Sequence, residues 1–160
     1  MKVKDVMTLD VRACTTTNTL SQVAELMATH GCGFIPVISR DGELEGVVTD
    51  RDVALTAYRE DQQLSAISVR SAMSSEVIAC YVDDPIGVAE KLMSDNQVRR
   101  LPVLDFNDRL AGVISLDDLA RQAREEVSIT GLLQISQAAV AETLAEIAGG
   151  DNRKRAKRRR

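Results

Sequence analysis

The sequence has very few aromatic residues: two tyrosines, two phenylalanines and no tryptophan make up 2% of its 160 residues. A core built from this chain must therefore be aliphatic. Stacking of nucleic-acid bases on aromatic side chains is not expected as the main chemistry, because that mode of binding needs several exposed rings. The remaining composition, 44% hydrophobic and 28% charged, is typical of a globular protein.

The motifs of common catalytic and metal sites are also missing. The sequence has no phosphate-binding loop ending in Gly-Lys-Ser/Thr, no HExxH zinc motif and no nucleophile elbow. We interpret its single histidine, His30, as a surface or helix-end residue, and no cluster has the spacing of metal ligands. We therefore predict a protein that is not an enzyme and that requires no metal or cofactor.

The three cysteines, Cys14, Cys32 and Cys80, are odd in number and widely spaced, with no CxxC pair. They are typical of reduced, partly buried thiols in a cytoplasmic protein. The N-terminal residues lack the apolar run of a signal peptide, and no stretch is long enough to cross a membrane. We expect a cytoplasmic location and no membrane partner.

Charge is unevenly distributed along the chain. Residues 151–160 hold seven Lys or Arg and one Asp, although the net charge of the whole chain is −4, so the rest of the chain is acidic. This composition predicts a disordered basic tail over residues 149–160. The tail is solvated, folds back on the acidic body, or docks to nucleic acid or another polyanion through counterion release. No helix-turn-helix accompanies it, so specific DNA recognition is not expected.

What the sequence does contain is an internal duplication. Shifting the chain on itself by one constant offset aligns its two halves without a gap, which indicates a tandem repeat. The aligned identities are Met7 with Met73, Val11 with Val77, Ala13 with Ala79, Leu26-Met27 with Leu92-Met93, Pro36-Val37 with Pro102-Val103, and Gly46-Val47 with Gly112-Val113.

Each copy predicts the same element order, β-α-β-β-α. An extended stretch leads into a helix with a 3.6-residue apolar stripe, capped by Asn18 or Thr19 in the first copy. In the second copy Asp84 is the predicted cap, with Pro85 at the first helical position. A hairpin and a second helix follow. The predicted strands are 11–15, 34–38 and 44–48 in the first copy, and 77–82, 101–104 and 110–114 in the second, and the second helices begin near Asp50 and Leu116. The proline of the first hairpin strand favours the start or edge of a sheet.

A copy of about sixty residues buries too little surface to be stable alone. We therefore expect the two copies to pack through their sheets. The predicted segments are repeat 1 over 1–60, a connector over 61–68, repeat 2 over 69–125 and an additional C-terminal helix over 126–148. The additional helix, capped by Ser128 or Thr130 and ended by Gly149-Gly150, either packs on its own core or forms a dimer contact.

The most informative repeated stretch is Gly46-Val47-Val48-Thr49-x-x-Asp52, which returns as Gly112-Val113-Ile114-Ser115-x-x-Asp118. β-branched residues favour a strand, and the hydroxyl with an acid three residues later favours a helix start. One interpretation is capping alone. The other is ligand binding, because a helix N-terminus offers free N–H groups and partial positive charge to a phosphate.

Over residues 3–124 the chain resembles a tandem pair of cystathionine-β-synthase-type (CBS) domains, a Bateman module, and is similar to the small stand-alone CBS-pair proteins of bacteria. The residues that carry the resemblance are the Val6-Met7-Thr8 opening, the strands Phe34–Val37 and Leu101–Val103, and both repeated motifs. The resemblance implies an α/β (α+β) fold of two pseudo-symmetric repeats that form a homodimer. It further implies a regulatory module, an energy or ligand sensor, whose clefts bind AMP, ADP or ATP, with S-adenosylmethionine or NAD as other possible ligands.

The resemblance also assigns site residues. In the family the motif Asp accepts ribose hydroxyls, and the Thr or Ser contacts ribose or phosphate. One cleft would use Ser115, Asp118, Arg99 and Arg100, with Val11, Ala13, Cys32 and Gly33 beside the adenine. The second cleft would use Thr49 and Asp52 with Val77, Ala79 and Val98. For each apolar residue plain core packing is the alternative, and for the arginines a solvated surface.

The two clefts are not expected to be equivalent. Arg99 and Arg100 precede the second hairpin, where Gly33 and Phe34 stand in the first copy. We favour the Ser115/Asp118 cleft for a phosphorylated ligand, because guanidinium groups bind phosphate well. Only one of the two arginines should face the ligand, because adjacent strand residues point to opposite faces.

Two other functions remain open from the sequence. One is a structural or interaction module with empty clefts and an unidentified protein partner. The other is a polyanion-binding adaptor that acts through the basic tail.

Overall fold

The structure, a computed structural model, describes residues 1–129 and 137–157, with side chains for 1–123 and 138–148. It divides into two compact units. The first-repeat unit comprises Asp10–Val77 with Asn107–Leu110. The second-repeat unit comprises Met1–Leu9, Ile78–Phe106 and Ala111–Arg160. Helices and small sheets are mixed in both, so the predicted α/β class is confirmed.

The first-repeat unit contains four main elements: α1 (Leu20–His30), β1 (Phe34–Ile38), β2 (Leu44–Thr49) and α2 (Asp50–Glu60). β1 and β2 form the predicted antiparallel hairpin. Of the two predicted caps of α1, Thr19 is the N-cap, and its side chain forms a capping box with Gln22. The predicted opening strand is reduced to one parallel bridge between Cys14 and Val37.

The second-repeat unit contains β3 (Cys80–Tyr81), α3 (Ile86–Asn96), β4 (Arg100–Leu104), β5 (Leu110–Ser115), α4 (Leu116–Ile129) and α5 (Gln137–Lys157). Its sheet has the order β3-β4-β5, with β3 parallel to β4. The helix cap predicted at Asp84 is wrong by one residue, since Pro85 is the N-cap of α3. The carboxylate of Asp84 accepts the backbone N–H of Tyr81 at 2.8 Å instead, which fixes the preceding turn.

The position predicted for the prolines is wrong in the second repeat. Pro102 is the third residue of β4, which is the central strand of its sheet. Proline lacks a backbone N–H and so cannot donate a hydrogen bond to a neighbouring strand. The pairing of β3 with β4 begins at Val103, one residue after Pro102, so it needs no N–H from the proline. The carbonyl groups remain usable: the Pro36 carbonyl in β1 accepts the N–H of Cys14 at 3.0 Å.

Each unit has its own aliphatic core, as the composition predicts, and each core contains residues from the start of the other sequence copy. Val3 is fully buried in the core of the second-repeat unit, and Met7 packs against it. Val69 is fully buried in the core of the first-repeat unit, and Met73 packs against it. The structural units and the sequence copies therefore differ at their ends, and the predicted domain boundaries stay a prediction.

The described part of the additional C-terminal helix packs on its own unit. α5 contacts α3 and α4, Ile147 is 7% exposed in the core, and Val140 packs against that core. The predicted apolar residues Leu132, Leu133 and Ile135, and the predicted cap Thr130, lie outside the described residues, and of the alternative cap Ser128 the structure describes only the backbone, within α4.

The helix end predicted at Gly149-Gly150 is wrong, because α5 continues to Lys157, and so is the disorder predicted for the tail up to that residue. Each interior glycine costs only about 1 kcal/mol relative to alanine. The lysines and arginines that follow are good helix formers, and their charge is favourable near a helix C-terminus.

Among the described residues, no helix combines the length and apolar character that a membrane crossing needs.

Candidate functional site

The first repeated motif forms a tight strand-to-helix turn between β2 and α2. The carboxylate Oδ2 of Asp52 accepts the backbone N–H of Thr49 at 2.9 Å and the Thr49 hydroxyl at 2.7 Å. The Thr49 oxygen accepts the backbone N–H of Asp52 at 3.2 Å in return. This is a capping box with Asp in the place of the usual Glu, so the capping interpretation of the motif is present in the geometry.

The second motif repeats this arrangement between β5 and α4. Asp118 Oδ2 accepts the backbone N–H of Ser115 at 2.9 Å and its hydroxyl at 2.5 Å, and the Ser115 oxygen accepts the Asp118 N–H at 3.1 Å. Here both side chains are buried, with Ser115 8% and Asp118 7% exposed. The other carboxylate oxygen, Asp118 Oδ1, forms an ion pair with Arg121 Nη2 at 3.2 Å.

In each turn the capping box uses one carboxylate oxygen of the motif Asp, and the second oxygen is left for an interaction outside the box. In the first motif Asp52 Oδ1 has no hydrogen-bond partner within the described part of the chain. An ionised carboxylate is a pure acceptor, so this oxygen is suited to a hydroxyl pair such as that of a ribose. In the second motif the same position is taken by Arg121. Sequence analysis missed Arg121, although its spacing of one helical turn from Asp118 was visible.

The two helix starts differ in how their first N–H groups are used. The first N–H of each helix donates to a carbonyl of its own unit, from Asp50 to Gly33 at 3.2 Å and from Leu116 to Arg99 at 3.0 Å. The second N–H of α2, on Arg51, donates to the side chain of Asp50 at 2.7 Å. The second N–H of α4 belongs to Asp117, and no acceptor for it occurs among the described residues.

The predicted basic residues lie beside the second turn. Arg99 and Arg100 are both exposed, and neither makes an ion pair with a described residue. The backbone carbonyl of Arg99 accepts the N–H of Leu116, so Arg99 lies at the same strand end as the motif. In the first copy Gly33 occupies this position, and a Cβ added there would lie 2.6 Å from Asp50 Oδ2.

The other predicted site residues are divided between the two units. Ser115, Asp118, Arg99, Arg100, Ala79 and Val98 belong to the second-repeat unit, whereas Thr49, Asp52, Val11, Ala13, Cys32, Gly33 and Val77 belong to the first. The apolar members are all half-buried. Cys32 and Val98 pack against the core of their own units, so the core-packing alternative holds for those two. The grouping of these residues into two clefts stays a prediction.

The cysteines are free thiols, as predicted. Burial raises the pKa of Cys14 to about 11. Burial, assisted by the nearby charge of Asp84, raises the pKa of Cys80 to about 12. Cys32 is half-buried. No group of three His, Cys, Asp or Glu residues that could hold a metal occurs among the described residues.

Comparison with known proteins matches this architecture twice. The CBS-domain family model matches residues 3–57 and 69–125. The CBS domain-containing protein YhcV of Bacillus subtilis (strain 168) is 39% identical over 137 residues, which cover 84% of this chain and 94% of that protein.

Two solved structures have the same fold. CBSX2 in complex with AMP has a TM-score of 0.69 and 25% identity, covering 78% of this chain and 96% of that one. The CBS domain pair of MJ0100, in complex with 5′-methylthioadenosine and S-adenosylmethionine, has a TM-score of 0.70 and 21% identity over 79% of this chain and 98% of that one. With its duplicated strand-to-helix turns and both family matches, this chain belongs to the CBS-domain family, as a tandem pair.

Proposed function

We propose that this CBS pair is a regulatory module that binds an adenosine-containing ligand at its motif turns, with AMP, ADP or ATP favoured at the Ser115/Asp118 turn. The observation that carries the proposal is that the two oxygens of each motif carboxylate have different partners. One oxygen closes the capping box. The other has no partner among the described residues in Asp52 and is paired only with the exposed side chain of Arg121 in Asp118, and it is the proposed acceptor for ribose hydroxyls. At the second turn, the helix start with its open Asp117 N–H suits a phosphate.

The family relationship supports the adenosine part of this proposal. CBSX2, which shares 25% identity with this chain, is a complex with AMP. MJ0100, with the same fold, carries 5′-methylthioadenosine and S-adenosylmethionine, so S-adenosylmethionine is a second candidate ligand here. The residues proposed for ribose are Asp52 and Asp118, and those proposed for phosphate are Ser115, Arg99 and Arg100.

In this proposal the protein has no catalytic role of its own. Ligand binding changes the relative stability of two conformations, which requires different affinities for the two. A homodimer or another protein partner then senses the change. The homodimer and the cytoplasmic location stay predictions, as does a role for the basic tail.

Calorimetric titration of the full chain with AMP, ATP, S-adenosylmethionine and NAD tests the proposal. Asp118→Asn and Asp52→Asn keep the shape of each turn but remove the carboxylate charge. We expect saturable binding of an adenosine compound that each variant weakens at its own site.

Asp83→Asn is the matched control, because it removes an equal charge from an acid outside both motifs. If no adenosine compound binds at millimolar concentration, or if both motif variants bind like the control, the proposal is wrong. The interaction module with empty clefts then becomes the better description.

A further inference from the structure

The two motif turns differ most at the first residue of the helix. In α2 this residue is Asp50, an exposed acid, and in α4 it is Leu116, which is 7% exposed and packs in the core. The Asp50 carboxylate accepts the N–H of Arg51 at 2.7 Å. A negative group of the chain itself therefore already occupies the helix-start position that a ligand phosphate would use.

A second feature leaves space for this carboxylate. Gly33 has no side chain, and a Cβ there would lie only 2.6 Å from Asp50 Oδ2 and 3.1 Å from Asp50 Cγ. The carboxylate thus occupies space that opens only because residue 33 is glycine. In the second copy the residue that corresponds to Gly33 is the cation Arg99, and the residue that corresponds to Asp50 is the uncharged Leu116.

The other charged residues of the two turns also make the first turn less favourable for a phosphate than the second. Asp52, beside Asp50, makes no ion pair with a described residue, whereas Asp118 is paired with Arg121. The position that matches Arg121 in the first copy is Leu55, which is 48% exposed. The first turn therefore presents two carboxylates, although the exposed Arg51 lies between them in sequence. The second turn also has two acids, the exposed Asp117 and the buried Asp118. It differs from the first turn in its open Asp117 N–H and in the cations Arg99, Arg100 and Arg121, the last of which is paired with Asp118.

We propose that Asp50 is a specificity-determining residue that excludes phosphate from the first motif turn. The Thr49/Asp52 turn then takes an adenosine ligand whose 5′ group is uncharged or cationic, and the Ser115/Asp118 turn takes an adenosine 5′-phosphate. A phosphate at the first turn would have to displace the Asp50 carboxylate and would lie against like charge. This inference rests on the proposed function and adds the charge of the ligand that each turn selects.

Calorimetry with adenosine and AMP tests this selection, because the two probes differ only in the phosphate. In an Asp118→Asn background, which isolates the first turn, adenosine should bind more tightly than AMP. In an Asp52→Asn background, which isolates the second, AMP should bind more tightly. Asp50→Asn and Gly33→Ala, added to the first background, should each shift the ratio of AMP to adenosine affinity toward AMP by roughly tenfold or more.

Asp41→Asn provides the matched control, because it removes the same charge from the exposed turn between β1 and β2 of the same unit. It should leave the ratio of AMP to adenosine affinity within about twofold, since a distant exposed charge is screened by salt. Equal AMP binding at both turns of the parent chain, or an unchanged ratio in Asp50→Asn, overturns the inference.

A second readout does not depend on adenosine binding. Inorganic phosphate is titrated into the ¹⁵N-labelled full chain while the amide resonances of Asp117 and Arg51 are followed. We expect a saturable shift at Asp117 only, and a shift at Arg51 once Asp50 is replaced by Asn. If phosphate shifts Asp117 in this way but no adenosine compound binds in calorimetry, the proposed function fails while the selection of phosphate stands. If phosphate shifts Arg51 in the parent chain, the selection fails.

Discussion

A Cβ added to Gly112 would lie 2.9 Å from the Sδ atom of Met7. The contact is a close approach of β5 and the segment at Thr8, which form an isolated antiparallel bridge. The backbone N–H of Thr8 donates to the Val113 carbonyl at 2.9 Å, and the Val113 N–H donates to the Thr8 carbonyl at 3.0 Å. The first copy has the equivalent contact, with Met73 Sδ 3.0 Å from the Cβ position of Gly46. The motif glycine is therefore required by packing, independently of any ligand.

This contact predicts the effect of Gly112→Ala. The new methyl group would meet the Thr8 carbonyl oxygen at 2.8 Å as well as the methionine sulfur, and the backbone oxygen cannot rotate away. We expect a loss of about 1–3 kcal/mol in the free energy of unfolding, as for other overpacked sites. Urea denaturation followed by circular dichroism measures it.

Gly87→Ala is the control for that substitution. Gly87 lies in α3, and the nearest atom to its Cβ position is 4.0 Å away. Alanine is the better helix former, so the free energy of unfolding should rise by about 0.5–1 kcal/mol. Loss of stability in both variants alike would contradict the packing explanation.

The two motif carboxylates should contribute unequally to stability. Asp118→Ala removes a buried cap and leaves the Ser115 hydroxyl and N–H without their acceptor, which should cost about 2–3 kcal/mol. Asp52→Ala removes the same cap from a half-buried turn and should cost about 1 kcal/mol. Urea unfolding of both variants decides between this order and its reverse. Arg121→Ala should cost under about 1 kcal/mol, because that guanidinium is largely exposed.

Asp83 predicts an acid-sensitive contribution to stability. Hydrogen bonds from Lys2 and then Lys4, with their charges, lower its pKa to about 2. Because the folded pKa lies below the unfolded value of about 4, the ion pairs stabilise the fold above pH 4. That contribution disappears as the pH falls toward 2. Asp83→Asn should lower the Tm at pH 6 but not at pH 2, and added salt should reduce the difference. A Tm difference independent of pH would contradict it.

The half-buried Cys32 should be the most reactive thiol of the chain. Cys14 and Cys80 are 4% and 1% exposed, and burial raises the pKa of both well above 9. Ellman's reagent at pH 8 should therefore label about one thiol per native chain and all three after unfolding. Cys32→Ser should abolish the labelling of the native chain, and fast labelling of that variant would contradict the assignment.

Replacing Glu90 by glutamine should stabilise the fold at neutral pH. Its Oε1 atom is buried, has no hydrogen-bond partner among the described residues, and burial raises the pKa of the carboxyl. A raised pKa means that the ionised group destabilises the fold at neutral pH, and that the penalty falls as the pH decreases. Glu90→Gln should therefore raise the Tm at pH 7 more than at pH 4. Glu90 and Glu142 both line a groove between α3 and α5, and Glu142 is exposed. Glu142→Gln should therefore not raise the Tm in this way.

Much of the fold could be predicted from local sequence. Periodicity and capping residues act over a few residues and can be recognised in the sequence. They predict the duplication, both hairpins, the cap at Thr19 and the helix starts at Asp50 and Leu116. The cap predicted at Asp84 was wrong because its carboxylate accepts the N–H of Tyr81, in the preceding turn, and no N–H of the helix. The helix end predicted at Gly149-Gly150 was wrong because glycine lowers helix stability only modestly, and α5 continues through both glycines.

The sequence by itself determined the family, the repeated motifs and the identity of the capping carboxylates, because these follow from residue types at short, fixed spacings. The tertiary structure decided which residues meet across the chain. It placed Met7 against Gly112, the Asp50 carboxylate in the space beside Gly33, and Val3 in the core that Ile114 shares. Such contacts join residues far apart in sequence, and they depend on how strands and helices pack, which no local pattern records.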